Sequence, residues 1–175
     1  IIRKKLLEKK DDYIGKIKEI SDELCNNFLC LNDLSGGYNS NIKIGVFDVN
    51  DNLIQVLCAE EYEKDKYILT RICNSKEEHI SYTNILNYFE NKYKPKTIRL
   101  ILNKRWNSEN DFKNYGFDLI NETPPKAYYF KVNENILYEV GDKDEQELVN
   151  NLYRIIYDYG NIILEKTLKE ENAPL

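Results

Sequence analysis

"ILNYFENKYKPKTIRLILNKRWNSENDFKNYGFDLINETPPKAYYF", residues 85–130, decides how this chain folds. Apolar residues recur near a 3.6-residue period at Ile80, Ile85, Leu86 and Phe89, which predicts a helix over 80–93 that stops near Pro95. "TIRLILN" (97–103) then reads as a strand, and its continuous apolar centre predicts burial on both faces. Ser108 is placed to cap a short helix over 109–115, which Gly116 ends. "FDLIN" and "AYYFKV" are strands on either side of Thr123-Pro124-Pro125, a rigid connection.

Upstream, "KYILTRIC" (66–73) is another strand, so the stretch closes a strand–helix–strand crossover. "IKIGVFDV" and "LIQVLCA" flank Asn50-Asp51-Asn52 and form a hairpin. Residues 1–31 read as helix, through Leu6, Leu7, Ile14, Ile17, Ile20, Leu24 and Phe28, broken or kinked at Gly15. Downstream, "ILYEV" is a short strand and 144–154 a helix. "RIIYDYGNIIL" is a strand, a Tyr-Gly-Asn turn and a strand. Antiparallel hairpins mixed with one crossover make an α/β (α+β) layer around a single mixed sheet.

The 175 residues suffice for one domain with a substantial core. No apolar run reaches the roughly 18 residues of a membrane span, and no signal peptide is evident. A cytoplasmic protein is expected. Methionine is absent, so Ile1 is not a translation start as it stands. The chain reads as a fragment or a processed product, with room for an upstream catalytic domain. Cys25, Cys30, Cys58 and Cys73 lack zinc-site spacing and read as buried free thiols of a reducing compartment. His79 is the lone histidine, a poor start for a metal site. No metal and no cofactor are expected.

Charge is unevenly spread. Residues 91–131 carry nine Lys/Arg against four acids, a net of +5, and residues 132–150 carry one lysine against six acids, a net of −5. A chain of net charge −5 therefore still offers a local site for a polyanion. Lys104, Arg105, Trp106, Lys113 and Lys126 supply cations for phosphates and a ring for stacking, with Tyr128 and Tyr129 on opposite faces of their strand. Trp106 has a second reading, as a large residue covering the core edge. The acids Asp48, Asp51, Glu60, Glu61 and Glu63, with Lys66, resemble a nuclease set superficially. They read instead as solvated hairpin charges.

The order of these elements resembles the GNAT N-acyltransferase fold, a mixed, mostly antiparallel sheet flanked by helices. More narrowly, residues 17–166 resemble a GNAT-like domain of phage and mobile-element proteins of the homing-endonuclease type. That leaves 1–16 as a helical linker or the tail of a preceding domain, which the resemblance implies is a small nuclease domain, and 167–175 as a C-terminal tail. The resemblance rests on "FLCLNDLSGGYNSNIKIGVFDVNDNLIQVL", "YILTRIC", the stretch quoted first and "YRIIYDYGN". The family's Arg-Arg-Trp-Ser-type stretch is Lys104-Arg105-Trp106-Asn107 here, and Asp33 and Ser35 stand where the family has histidine and glutamine. Where the family carries a Gly-Gly-Ala-type turn before its central helix, this chain has "EEHISYTNI". Such a turn lets backbone N–H groups approach a coenzyme A diphosphate. Glu77 and Glu78 oppose it by about 1 kcal/mol per close charge pair in water. The resemblance, so altered, implies a non-catalytic accessory domain that binds or positions nucleic acid, DNA ahead of RNA, or holds a partner domain. An acyltransferase with a changed cofactor loop is the alternative, with Tyr115 or Tyr128 as proton donor by fold analogy. A structural or oligomerising module that binds a protein partner is the third reading.

Overall fold

The computed structural model describes residues 8, 9, 14–76, 79–131 and 136–168. It forms two compact units, one of Ile1–Leu100, Tyr115–Phe117 and Glu165–Leu175, the other of Ile101–Asn114 and Asp118–Leu164.

The first unit begins with β1 (Glu8–Lys9), which pairs in parallel with β6 (His79–Ile80). β2 (Ile14–Glu19) follows, antiparallel to β3 (Ile42–Asp48). The helical reading of 1–31 is thus wrong at Glu8–Lys9 and at Ile14–Glu19; residues 1–7 and 10–13 lie outside the described residues. The error has a physical cause. A register shift between Ile14 and Lys16 adds one residue to the strand, so Ile14 and Ile17 fall three apart and, with Ile20 just past the strand end, imitate a helical face. Gly15 occupies the bulge because a Cβ there would overlap the carbonyl of Asp48.

Helix α1 (Asp22–Asn32) starts where Ser21 Oγ accepts the N–H of Leu24 at 3.3 Å, with Asp22 and Glu23 favourable at the positive helix end. Its Cys25, Phe28 and Leu29 face Val56, Cys58 and Cys73 of the sheet. β4 (Leu53–Glu63) completes the expected hairpin with β3. Asp48 accepts the N–H groups of Asn50 and Asn52 in the turn, and Asp51 takes a positive φ. β4 is the strand buried on both faces, with every residue from Ile54 to Ala59 below solvent.

β5 (Lys66–Asn74) runs antiparallel to β4. Helix α2 (Thr83–Tyr93) follows and ends at Lys94 in the left-handed region, one residue before Pro95. It buries Ile85, Leu86 and Phe89. Phe89 meets Tyr67 of β5 edge-on at 5.4 Å and Tyr93 at 5.1 Å. β7 (Thr97–Asn103) lies parallel to β5. It buries Ile98 and Leu100 but exposes Ile101, so burial on both faces does not hold there. The last strand, β12 (Asn161–Thr167), adds Glu165, which binds Arg99 at 2.6 Å, and Lys166, which binds Glu90 at 2.6 Å. Strand order in this unit is β2-β3-β4-β5-β7-β12.

The second unit takes the far ends of β7 and β12. β8 (Asp118–Glu122), exposed at every residue, lies next to β12. A three-stranded sheet of order β10-β9-β11 joins Tyr138–Glu139, Ala127–Phe130 and Arg154–Tyr157. Helix α3 (Glu145–Asn150) is capped by Asp144, and the expected short helix after Ser108 is two 3-10 turns opened by a capping box with Asp111. The seven-stranded sheet is mixed and mostly antiparallel, with helices flanking it, but the single sheet expected from sequence is divided among the described residues into sheets of seven, three and two strands. Among the described residues no helix is long and apolar enough to cross a membrane.

Cys25, Cys58 and Cys73 are buried, but Cys30 is exposed on α1, contrary to expectation. The sulfurs of Cys25 and Cys58 lie 3.3 Å apart. Burial pushes the Cys73 thiol up to about 12. Brief iodoacetamide treatment of native protein is therefore expected to add one carbamidomethyl group, at Cys30, by peptide mass spectrometry. Modification of all four would show that the thiol-lined core is open.

Candidate functional site

β5 carries the feature that organises the first unit's chemistry. Its parallel ladder with β7 covers only Lys66–Leu69 against Thr97–Leu100, after which β5 runs on to Asn74. Against β4, Cys58 pairs with Arg71 and Ala59 with Leu69, which leaves Thr70 as a bulge. The bulge reverses the faces. Tyr67 meets Phe89 of α2, whereas Cys73, six residues on, joins the α1 cluster. Ladder end and bulge coincide, so beyond Leu69 the β5 edge offers backbone donors and acceptors without ladder pairing to β7.

The chain from β5 into α2 is pinned by a buried amide relay. Gln55 is fully buried on β4; its Nε2 donates to Asn74 Oδ1 at 2.7 Å and to the Ser81 carbonyl at 3.3 Å. Asn74 Nδ2 donates to the Ile80 carbonyl at 3.0 Å. Gln55 Oε1 meets no donor among the described residues. Burying such an amide costs free energy that the two Nε2 hydrogen bonds offset in part, and those bonds tie the loop to β4 in one geometry.

The loop delivers the N-terminus of α2. No side chain of the N-cap residue Tyr82 caps it, and no acid lies in its first turn. The Thr83 N–H reaches Ser81 Oγ at 3.2 Å, the Tyr82 N–H reaches Tyr115 Oη at 3.3 Å, and Ser81 Oγ lies 2.8 Å from Thr83 Oγ1. Three neutral hydroxyls thus gather at the positive end of an eleven-residue helix. Hydroxyls rotate, so each can turn its proton toward an anion. Glu77 and Glu78, expected to oppose a diphosphate, lie outside the described residues. Farther along β5, the Arg71 guanidinium sits over the Tyr38 ring at 4.7 Å, and Asp33 accepts the Ser35 N–H at 2.7 Å. Of the two tyrosines expected as acids, Tyr115 lies at the α2 N-terminus, while Tyr128 Oη lies 3.5 Å from Asp158 Oδ2 in the second unit.

The five residues expected to bind nucleic acid all belong to the second unit. Lys104 pairs with Glu122 at 2.5 Å and Lys126 with Glu139 at 2.9 Å. Lys113 is exposed in a 3-10 turn. Trp106 is 59% exposed, so it does not seal the core edge. The hairpin acids do not converge: Asp51 pairs with Lys16, Glu63 with Lys66, and Asp48 builds its own turn. Among the described residues no three His, Cys, Asp or Glu side chains are grouped to hold a metal. Sequence reading missed the Thr70 bulge and the Gln55 relay. A polar Gln amid apolar strand residues was the one available signal.

No family model matches the chain, and no curated protein matches its sequence. Solved structures do match its fold. An IAA acetyltransferase from Bacillus cereus superposes with a TM-score of 0.54 at 12% identity, over 87% of this chain and 99% of that one. An aminoglycoside 6'-acetyltransferase type Ii does so at 0.55 and 15%, over 90% and 99%. The ribosomal-protein-S18-alanine N-acetyltransferase of Escherichia coli gives 0.54 and 9%, over 91% and 99%. The fold of this chain is that of the GNAT N-acetyltransferases.

Proposed function

We propose that this chain is an N-acyltransferase that takes its acyl group from an acyl-CoA. The observation that carries the reading is the coincidence on β5. The strand loses its parallel partner after Leu69, bulges at Thr70, and leads through a pinned loop to a helix N-terminus ringed by hydroxyls. The residues present fit the group. An open strand edge suits the amides of an extended ligand arm. The α2 N-terminus, with Ser81, Thr83 and Tyr115 around it, suits a diphosphate. Bound there, an acyl-CoA supplies an activated thioester. The chain's own part is to hold the diphosphate and to fix the extended arm along β5. The three superposed structures, each titled an acetyltransferase, support this reading better than the non-catalytic accessory one.

The test is release of free coenzyme A from acetyl-CoA, followed by chromatography, with and without a panel of primary amines. Amine-dependent release supports the reading; none with any amine counts against it. Thr83→Asp separates binding from folding. Thr83 is exposed at the first helical position. A carboxylate there favours the helix by about 0.3–1 kcal/mol while repelling a diphosphate. The variant is expected to keep or raise its melting temperature and to bind acetyl-CoA at least roughly tenfold more weakly, a loss of about 1.4 kcal/mol.

A further inference from the structure

Two turns of the second unit lie side by side. The first, Asn103–Asn107, follows β7. Asn103 Oδ1 accepts the Arg105 N–H at 2.8 Å, and its carbonyl accepts the N–H groups of Trp106 and Asn107, each at 3.2 Å. The second, Asp158–Gly160, joins β11 to β12. Asp158 Oδ1 accepts the N–H groups of Lys126 at 2.7 Å and Gly160 at 2.8 Å, and these bonds hold its carboxyl below the ordinary value. One hydrogen bond locks the turns together, from the Lys104 N–H to the Gly160 carbonyl at 3.1 Å.

That lock places Arg105 between two aromatic rings. Its guanidinium lies 4.8 Å from the Trp106 centroid and 5.2 Å from the Tyr159 centroid. Both rings stay open to solvent, Trp106 at 59% and Tyr159 at 52% exposed. No carboxylate pairs with Arg105 among the described residues, in contrast to Lys104 and Lys126. Exposed large rings on a rigid backbone are costly to keep wet and lose little entropy when covered. An unpaired guanidinium between them adds positive charge and a third flat surface.

We propose that Arg105, Trp106 and Tyr159 form a stacking platform for single-stranded nucleic acid. Bases stack on the open ring faces, and Arg105 meets a phosphate or a base plane. Single strands fit better than duplex, because a duplex keeps its base faces covered. The platform narrows the cations expected from sequence. Arg105 and Trp106 bind, Lys104 acts through its backbone, and Lys126 is spent on Glu139. Tyr159, which sequence reading did not single out, joins them.

Trp106 is the only tryptophan beside fourteen tyrosines, so fluorescence excited at the red edge of the tryptophan band, where tyrosine does not absorb, reports this site alone. The whole chain is titrated with a 20-nucleotide oligo-dT, its RNA counterpart and a duplex of equal length at two salt concentrations, with labelled-oligonucleotide anisotropy in parallel. Saturable quenching by the single strands, weaker binding to duplex and weaker binding at high salt are expected. Arg105→Ala, Trp106→Ala and Tyr159→Ala, all at the surface, should each reduce affinity roughly 5- to 100-fold. Lys126→Ala should change it less than about twofold. Absence of quenching and anisotropy change at low salt would overturn the proposal. So would duplex binding as tight as single-strand binding, or a Lys126→Ala loss equal to that of Trp106→Ala, since either makes the contact one of charge alone.

Discussion

Gly160→Ala is expected to cost the second unit about 3 kcal/mol or more, read as a drop in the urea midpoint. Two effects combine. Gly160 has φ near +69°, a conformation that disfavours any Cβ by about 1–2 kcal/mol. A Cβ there would also overlap the Thr123 carbonyl oxygen and lie 2.9 Å from the Pro124 carbonyl carbon, both backbone atoms that no rotamer change can move. The Thr123 N–H bonds the Asn161 carbonyl at 2.8 Å, so relief would break the link between the turn and its neighbour. Gly141→Ala is the control. Its φ is +57°, yet nothing lies within 4 Å of a Cβ, so only the conformational cost of about 1–2 kcal/mol remains. Equal losses for the two variants would show that the close approach at Gly160 does not constrain the fold.

Phe89→Ala should remove about 3–5 kcal/mol from the first unit. The ring is fully buried and touches Tyr67 and Tyr93, so its loss leaves a cavity and two aromatic pairs unmade. Phe89→Leu keeps most of the volume and should cost less than half as much. Denaturant unfolding followed by circular dichroism measures both. A loss below about 1 kcal/mol for Phe89→Ala would mean that α2 is not anchored through this residue.

Most strands and helices from Ile42 onward were legible because their signals are local, but the helices expected over 80–93 and 144–154 are shorter, Thr83–Tyr93 and Glu145–Asn150, with Ile80 in β6 and Arg154 in β11. Asn50-Asp51-Asn52 announces a turn, Pro95 a stop, and Ser108 with Gly116 the two ends of a short segment. The N-terminal strand was illegible because a bulge at Gly15 replaces strand alternation with a three-residue spacing. Burial of "TIRLILN" was overestimated because apolar side chains do not reveal which strand is covered on both faces; that strand is β4. For the site, composition pointed to Lys104–Trp106 but could not show that Lys104 and Lys126 carry their own acids, since Glu122 and Glu139 lie 18 and 13 residues away in sequence. Nor does "KYILTRIC" mark Thr70 as a bulge, because the bulge exists only relative to β4. Expecting a glycine-rich turn drew attention from what stands in its place, the hydroxyls of Ser81, Thr83 and Tyr115.

Isothermal titration calorimetry of the whole chain with acetyl-CoA, beside Thr83→Asp, reaches the acyltransferase reading most directly. One saturable site is expected for the unchanged chain, weakened at least roughly tenfold in Thr83→Asp, whose melting temperature stays level or rises. No heat of binding at about 1 mM acetyl-CoA, the top of the usual KM range, would contradict it, as would a Thr83→Asp chain that binds as tightly as its parent.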